Sequence, residues 1–181
     1  MSNNPLKTAL EHIQTMTSSR ISNYAIAGLT SELLTEGTVR LFSMENVQTT
    51  KITPHSHRFN LASYVLQGSV ENTIWYQQPA EANLGHLMAL SKQEYKGVPG
   101  KYSLTHEWEA KFTRSVVNYE AGEFYYMDAE EIHSIEFSPN AVVLIFAGPD
   151  RYPFSTILEP VGRHGTIPIQ ETRPWMFKDD D

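Results

Sequence analysis

Two histidines, His55 and His57, are separated by one residue in the sequence. If this segment is a β-strand, residues at that spacing project from the same face, so both imidazoles can bind one ion from adjacent positions. Neutral imidazole is a ligand for Fe, Zn, Cu and Ni. The spacing by itself allows a metal site, but it also fits the plainer interpretation of two polar residues near the end of a strand.

The composition limits what such a site can contain. The chain of 181 residues has no cysteine, which excludes disulfides, cysteine nucleophiles and thiolate ligands, so a metal must be held by nitrogen and oxygen. The formal net charge is −7 at pH 7, which does not suit a surface that follows nucleic-acid phosphates. We therefore expect no nucleic-acid partner.

The length and hydropathy of the sequence fit one folded domain. Hydrophobic residues make up 40% of the chain and charged residues 19%, a balance typical of globular proteins. No stretch is apolar for long enough to cross a bilayer, and the amino-terminal segment lacks the apolar core of a signal peptide. We expect a cytoplasmic protein with no membrane partner.

Two helices are predicted at the amino terminus. The first follows Pro5, which suits the first turn of a helix, and has four apolar residues at helical spacing, Leu6, Leu10, Ile13 and Met16. The second runs from Tyr24 to Leu34 and is closed by Gly37. The predicted organisation is a helical segment at residues 1–37, packed on a β-domain at residues 38–181.

From Thr38 onward, short runs rich in Val, Ile, Tyr, Phe and Thr are separated by Gly, Pro, Asn and Asp. This pattern is typical of an all-β sandwich or barrel. The predicted strands lie at residues 38–43, 46–52, 61–67, 69–77, 86–95, 101–117, 122–127, 132–137 and 141–147. Nine short strands in one domain favour a jelly roll, in which closure removes exposed edges.

A predicted hairpin at residues 84–117 is expected to be an excursion from this barrel. The GVPG turn at residues 97–100 joins its two strands. The second strand alternates with period two, which predicts a half-buried strand whose apolar face carries Tyr102, Leu104, His106, Trp108, Ala110 and Phe112.

The histidine segments resemble the two motifs of the cupin family. PHSHRFNLASYVLQGSV, at residues 54–70, has an HxH pair, a short loop and a strand that ends in Gly68. AGEFYYMDAEEIHSIEF, at residues 121–137, has Gly122 opening a strand and His133 on the next one. The resemblance implies a mainly β fold, the cupin jelly-roll barrel, in which His133 joins the HxH pair as the third metal ligand.

One feature of the cupin pattern is missing. Cupins usually place a glutamate ligand a few residues after the HxH pair, where this chain has Leu61 or Ala62. Neither residue can bind a metal. The resemblance therefore implies a three-histidine face, a variant of the 2-His-1-carboxylate arrangement, that leaves positions for water, dioxygen or substrate.

This arrangement is similar to the thiol dioxygenases, of which cysteine dioxygenase is the best known. The similar stretches are VLQGSVENTIW, DAEEIHSIE and AVVLIFAGPD, at residues 65–75, 128–136 and 141–150. The similarity implies an Fe(II) ion that binds substrate and dioxygen side by side. The serine, histidine and tyrosine that define cysteine dioxygenase fall on Val143, Ile145 and Ala147, so the resemblance covers the scaffold and metal face, not the substrate.

Three polar residues are candidates for catalytic contact with a ligand. Arg40, on the strand that leads into the site, could hold a carboxylate through two hydrogen bonds. Ser63 shares a face with Leu61 and could reach a metal-bound water. Tyr126 could supply a hydroxyl for acid–base chemistry, although tyrosines of strands are often packing residues.

The leading hypothesis is a non-haem dioxygenase that binds one divalent metal ion, Fe(II) ahead of Zn, Ni or Mn, and acts with dioxygen on a small organic substrate. One alternative is a Zn, Mn or Ni cupin hydrolase or isomerase, which needs a general base near the ion. Another is a non-catalytic module that binds a small ligand, since one barrel hosts many functions. The resemblance is also compatible with a homodimer.

Overall fold

The computed structural model describes residues 17–34, 38–45, 51–95 and 102–161. Within these ranges the chain forms β-strands and no α-helix, which confirms the mainly β prediction. The strands are β1 (Thr17–Ile21), β2 (Leu29–Leu34), β3 (Val39–Met44), β4 (Phe59–Gln67), β5 (Ser69–Gln77), β6 (His86–Tyr95), β7 (Tyr102–Glu120), β8 (Phe124–Met127), β9 (Ile132–Phe137), β10 (Val142–Asp150) and β11 (Phe154–Pro160).

Six strands form one antiparallel sheet in the order β1-β2-β3-β10-β4-β8. In its centre β10 pairs with β3 on one side and with β4 on the other. Along β4, buried residues alternate with more accessible ones, so Leu61, Ser63 and Val65 point inward. This is the pattern of a strand with one face on a core.

The other five strands form a second sheet in the order β11-β6-β7-β5-β9. Strand β7 is long enough to pair with β6 through its first half and with β5 through its second half. Strands β6 and β7 lie within the hairpin predicted over residues 84–117 and are neighbouring strands of this sheet, whereas the predicted turn at residues 97–100 lies outside the described residues.

A short segment around His55 closes the second sheet. Strands β9 and β11 stand at the two ends of the sheet order, and His55 forms β-bridges to His133 of β9 and to Ile157 of β11. The Ser56 amide also donates to the Thr156 carbonyl at 2.8 Å. The bridges join both ends of the sheet, so the five strands and this segment form a ring.

Two apolar clusters lie on opposite faces of β5 and β9. The larger one fills the space between the two sheets and includes Val143, Ile145 and Ala147 of β10. The smaller one has Trp75 packed against it, whereas the preceding residue, Ile74, packs on the larger one. Successive residues of a strand face opposite sides, so the sheet separates the two clusters.

The second predicted helix is wrong, because Leu29–Leu34 form β2. Asn23 and Ala25, upstream of this strand, have positive φ values of 54° and 62°, which a right-handed helix does not allow. Five of the six β2 residues are buried. A strand covered on both faces loses its period-two pattern, and its apolar run then resembles a helix. The first predicted helix, with residues 6–16, lies outside the described residues.

Two further strand predictions agree with the structure only in part. The apolar face predicted for β7 is largely exposed, with Trp108 at 45% of its accessible area, whereas Phe112 is buried. Alternation shows which residues share a face but not whether another layer covers it. Of the strand predicted at residues 46–52, residues 46–50 lie outside the described ranges, and Lys51 and Ile52 are not in a strand.

In the part of the chain that the structure describes, no helix is long and apolar enough to span a bilayer.

Candidate metal centre

His55, His57 and His133 lie together on the inner side of the second sheet. One ring nitrogen of each histidine lies within 4.8 Å of those of the other two. The closest pair is His57 Nε2 and His133 Nε2, at 3.0 Å. His133 is 3% exposed and the other two are half-buried. The structure therefore brings together the three residues that the cupin resemblance implied.

Main-chain pairing explains this convergence. His55 and His133 are directly opposed partners in an antiparallel bridge, which places their side chains on the same face. His57 follows two residues later and returns to that face. Its amide donates to the Ala129 carbonyl at 3.0 Å. Ser56, between the two histidines, faces away, and its hydroxyl accepts from the Thr156 amide at 2.8 Å.

Hydrogen bonds from outside the cluster orient two of the rings. His55 Nδ1 lies 2.8 Å from the carbonyl oxygen of Thr53, and His133 Nδ1 lies 3.1 Å from Oδ1 of Asn72. Both oxygens are acceptors, so Nδ1 carries the proton in each ring and Nε2 keeps its lone pair. A histidine held in this way by a second residue is typical of metal-binding sites.

The pKa values of all three histidines are lowered. Burial is the main cause for each ring. For His55 the hydrogen bond to Thr53 opposes this effect. The pKa values of His57 and His133 lie well below the ordinary range, because charge on the neighbouring rings adds to the effect of burial. At neutral pH the cluster is therefore uncharged, the state in which imidazole binds a metal.

The distance between two of the three rings matches coordination of one metal ion. Two imidazole nitrogens at about 2.1 Å from one ion and at right angles to each other lie about 3.0 Å apart, which matches the 3.0 Å between His57 Nε2 and His133 Nε2. Within the described residues, no aspartate or glutamate joins the cluster. The donor set is therefore three neutral nitrogens on one side, with the remaining coordination positions left to other ligands.

The three predicted catalytic residues are placed differently. Ser63 is fully buried and Arg40 nearly so, both on the inner face of the first sheet. Arg40 Nη1 donates to the Ser31 hydroxyl at 2.9 Å. Tyr126, in contrast, is 55% exposed on the outer face, where its hydroxyl is hydrogen-bonded to Asn60 and Asp128. Two of the three candidates therefore point into the barrel.

Sequence reasoning missed two interior residues, Asn72 and Tyr125. Asn72 shares a strand face with Val70 and Ile74, and an asparagine between two apolar residues of one face is a signal that could have revealed it. Tyr125 is the residue next to Tyr126 and faces inward. A one-residue error in the assigned strand face exchanges these two tyrosines.

Comparisons with known proteins are weak. No protein-family model and no curated protein matches the sequence. Solved structures align with the chain only at low scores. The Drosophila melanogaster CENP-C cupin domain is 9% identical with a TM-score of 0.39, and the alignment covers 81% of this chain and 100% of that one.

Two other structures have similar scores. Hydroquinone 1,2-dioxygenase PnpCD, solved with Cd²⁺ and 4-hydroxybenzonitrile, is 14% identical with a TM-score of 0.38, and the alignment covers 83% of this chain and 79% of that one. An RmlC-like cupin from Shewanella frigidimarina is 12% identical with a TM-score of 0.34, and the alignment covers 75% of this chain and 79% of that one. At such identities and scores the matches do not assign the chain to a family.

Proposed function

We propose that this chain is a cupin-like protein that binds one divalent metal ion through His55, His57 and His133, and that it is an Fe(II)-dependent dioxygenase of a small organic substrate. The observation that carries the proposal is the convergence of three neutral imidazoles, two of which have their Nδ1 atoms held by acceptors. This arrangement leaves a lone pair on Nε2 of His55 and of His133, which is what an imidazole-preferring metal needs.

Two features favour dioxygen chemistry over hydrolysis. A metal hydrolase or isomerase needs a general base near the ion, and among the described residues no carboxylate joins the histidines. A face of three protein ligands leaves positions for both a substrate and dioxygen. When bound there, Fe(II) would supply the binding and activation of dioxygen.

The chain's own residues orient the ligands and exclude water. Asn72 and Thr53 fix the orientation of two rings through their Nδ1 atoms. Val143, Ile145 and Ala147 are buried in the cluster between the sheets, so the interior surface contributed by β10 is apolar. This surface favours a substrate with an apolar portion.

Metal binding is the first test. We expect protein purified and reconstituted with Fe(II) without oxygen to hold one metal ion per chain, measured by elemental mass spectrometry. His57→Ala should lose that ion. The matched control His86→Ala removes an exposed histidine at the start of β6 and should keep it. A wild-type protein that remains free of Fe, Zn, Mn and Ni after reconstitution would overturn the proposal.

Turnover is the second test. We expect the iron-loaded protein to consume oxygen with at least one member of a panel of thiols and small organic acids, measured with an oxygen electrode. The His57→Ala variant should consume no oxygen with any member of the panel. If the protein binds iron stoichiometrically but consumes no oxygen with any member, the dioxygenase proposal fails and the alternative of a ligand-binding module takes its place.

A further inference from the structure

Three polar side chains meet inside the barrel at a place that the histidines do not occupy. Ser63 of β4 and Tyr125 of β8 are cross-strand partners on the inner face of the first sheet. Asn72 of β5 points toward them from the second sheet. Their exposed fractions are 0%, 5% and 1%, so all three are almost completely removed from solvent.

Two of these groups have unused hydrogen-bonding capacity. Within the part of the chain that the structure describes, neither the Ser63 hydroxyl nor the Asn72 amide nitrogen makes a hydrogen bond of ordinary distance and angle, although both lie near the Tyr125 hydroxyl. Buried polar groups are nearly always satisfied, and leaving one unsatisfied costs free energy. An unsatisfied pair that faces the same space therefore points to a bound ligand or water.

The Tyr125 hydroxyl lies at the same place. Burial, the largest effect, raises the pKa of this hydroxyl above its ordinary value, and hydrogen-bonding interactions with Ser63 and Asn72 lower it by less. The hydroxyl therefore stays protonated and can donate a hydrogen bond. Tyr119 stacks on the Tyr125 ring, with centroids 4.5 Å apart, and fixes the direction in which the hydroxyl points.

The subsite is connected to the histidine cluster through one amide. Asn72 Oδ1 accepts from His133 Nδ1 at 3.1 Å, while Nδ2 of the same side chain is unsatisfied. The two ends of one amide thus face the metal centre and the subsite. A ligand that reaches from one to the other must therefore be short.

We infer that Ser63, Asn72 and Tyr125 form a binding subsite for the carboxylate group of a short aliphatic acid. All three offer N–H or O–H donors, and none carries a negative charge, so the complementary group is an acceptor oxygen. Ile145 lies beside Ser63 in the sheet and gives the aliphatic part an apolar contact. The inference rests on the proposed function only for the other end of the ligand, at the metal.

Propionate and 1-propanol are the probes, since they share the aliphatic part and differ in the carboxylate. We expect calorimetric titration of the zinc-loaded protein, which is redox-inert, to show binding of propionate and not of 1-propanol. Ser63→Ala and Tyr125→Phe should each weaken propionate binding about tenfold with unchanged metal content. Tyr76→Phe, which removes an exposed hydroxyl, should bind propionate like the wild type.

A stability measurement separates a ligand subsite from a structural role. Ser63→Ala removes a buried hydroxyl that has no partner, so without propionate its melting temperature should equal or exceed that of the wild type. A melting temperature several degrees lower would assign Ser63 a structural role and overturn the inference. Equal binding of propionate by the wild type and both variants would also overturn it, and would leave an ordered water as the occupant.

The same titration on chelator-treated protein distinguishes this inference from the proposed function. If the wild type never binds metal, but propionate still binds and Ser63→Ala weakens it, the metal proposal fails and the subsite stands. If metal binds normally but propionate binds neither form of the protein, the subsite fails and the metal proposal stands.

Discussion

His55 and His133 are partners through their main chains as well as neighbours through their rings. The His55 amide donates to the His133 carbonyl at 2.8 Å, and the His133 amide donates back at 2.9 Å. The ring centroids lie 4.8 Å apart. Because backbone hydrogen bonds set the distance between these two residues, the spacing of two proposed ligands is fixed before any metal arrives.

The hydrogen bond between Asn72 and His133 provides a prediction about metal affinity. In Asn72→Leu the volume of the side chain is nearly kept, but His133 Nδ1 loses its acceptor. Loss of such a partner lowers metal affinity by roughly 10- to 100-fold. Competition with a chromophoric chelator measures the affinity. Asn118→Leu, at an exposed position of β7, is the control, and equal affinities in the two variants would contradict the prediction.

The lowered histidine pKa values predict acid sensitivity of the metal-free protein. Each pKa is lower in the folded chain than in the unfolded chain, where it is near 6.5. Stability from this source is therefore complete above about pH 6.5 and is lost as the pH falls, because the unfolded state binds more protons. Urea titrations between about pH 7.5 and about pH 5.5 should show the decline in the free energy of unfolding.

Histidine variants test whether the three histidines cause this acid sensitivity. His133→Gln removes one of the three groups and should make the decline with pH shallower, whereas the decline in His86→Gln, which changes an exposed residue, should match that of the wild type. A slope unchanged by His133→Gln would show that other groups cause the acid sensitivity.

Gly68 is predicted to be essential for the passage of the chain from one sheet to the other. It is the only residue between β4 and β5, has φ of +72°, and a Cβ placed there would lie 2.7 Å from the Ser138 hydroxyl and 3.0 Å from the Ala141 backbone. Gly68→Ala should lower the free energy of unfolding by about 2 kcal/mol or more, measured by urea denaturation.

Gly122→Ala is the matched control for this prediction. Gly122 has φ of +94°, but nothing lies within 4 Å of a Cβ placed there. This variant should show the backbone strain without the clash, so its loss of stability should be the smaller of the two. A larger loss for Gly122→Ala would mean that the contacts around Gly68 give way easily.

The ring of the second sheet depends on Ser56. Its hydroxyl accepts a hydrogen bond from the Thr156 amide and is itself buried. Ser56→Ala should cost about 1 kcal/mol of stability, since a half-buried amide loses its acceptor, and metal affinity should fall with it. Thermal unfolding and chelator competition measure both effects. Ser115→Ala, at an exposed position of β7, should change neither.

The sequence predicted much of the β-structure and the proposed ligands for physical reasons. Strands with one covered face, such as β4, keep a period-two pattern that can be read directly. The spacing of His55 and His57 needs only an extended backbone to place both on one face. The third histidine could be identified only through the resemblance of its segment to a family motif, since no local pattern links residues so distant in the chain.

Other features could not be predicted, because they depend on packing between distant segments. Strand β2 is covered on both faces and therefore lacks the alternation of a half-buried strand. The predicted tyrosine, Tyr126, faces outward, while Tyr125 faces inward beside Ser63 of the neighbouring strand. Likewise, the closure of the ring at His55 involves two single-residue bridges, which leave no periodic trace in the sequence.

The bridge between His55 and β11 also has a consequence for the order of events during synthesis. Ser56 and its partner Thr156 are 100 positions apart in the chain, so the ribosome completes most of the protein before the ring can close. The main-chain partners of His55 and His57, at His133 and Ala129, are made before β11 but still long after the HxH pair. If the site binds a metal as proposed, the newly made chain should acquire it after folding, when the complete three-histidine set, and not the early HxH pair, selects among the ions of the cell.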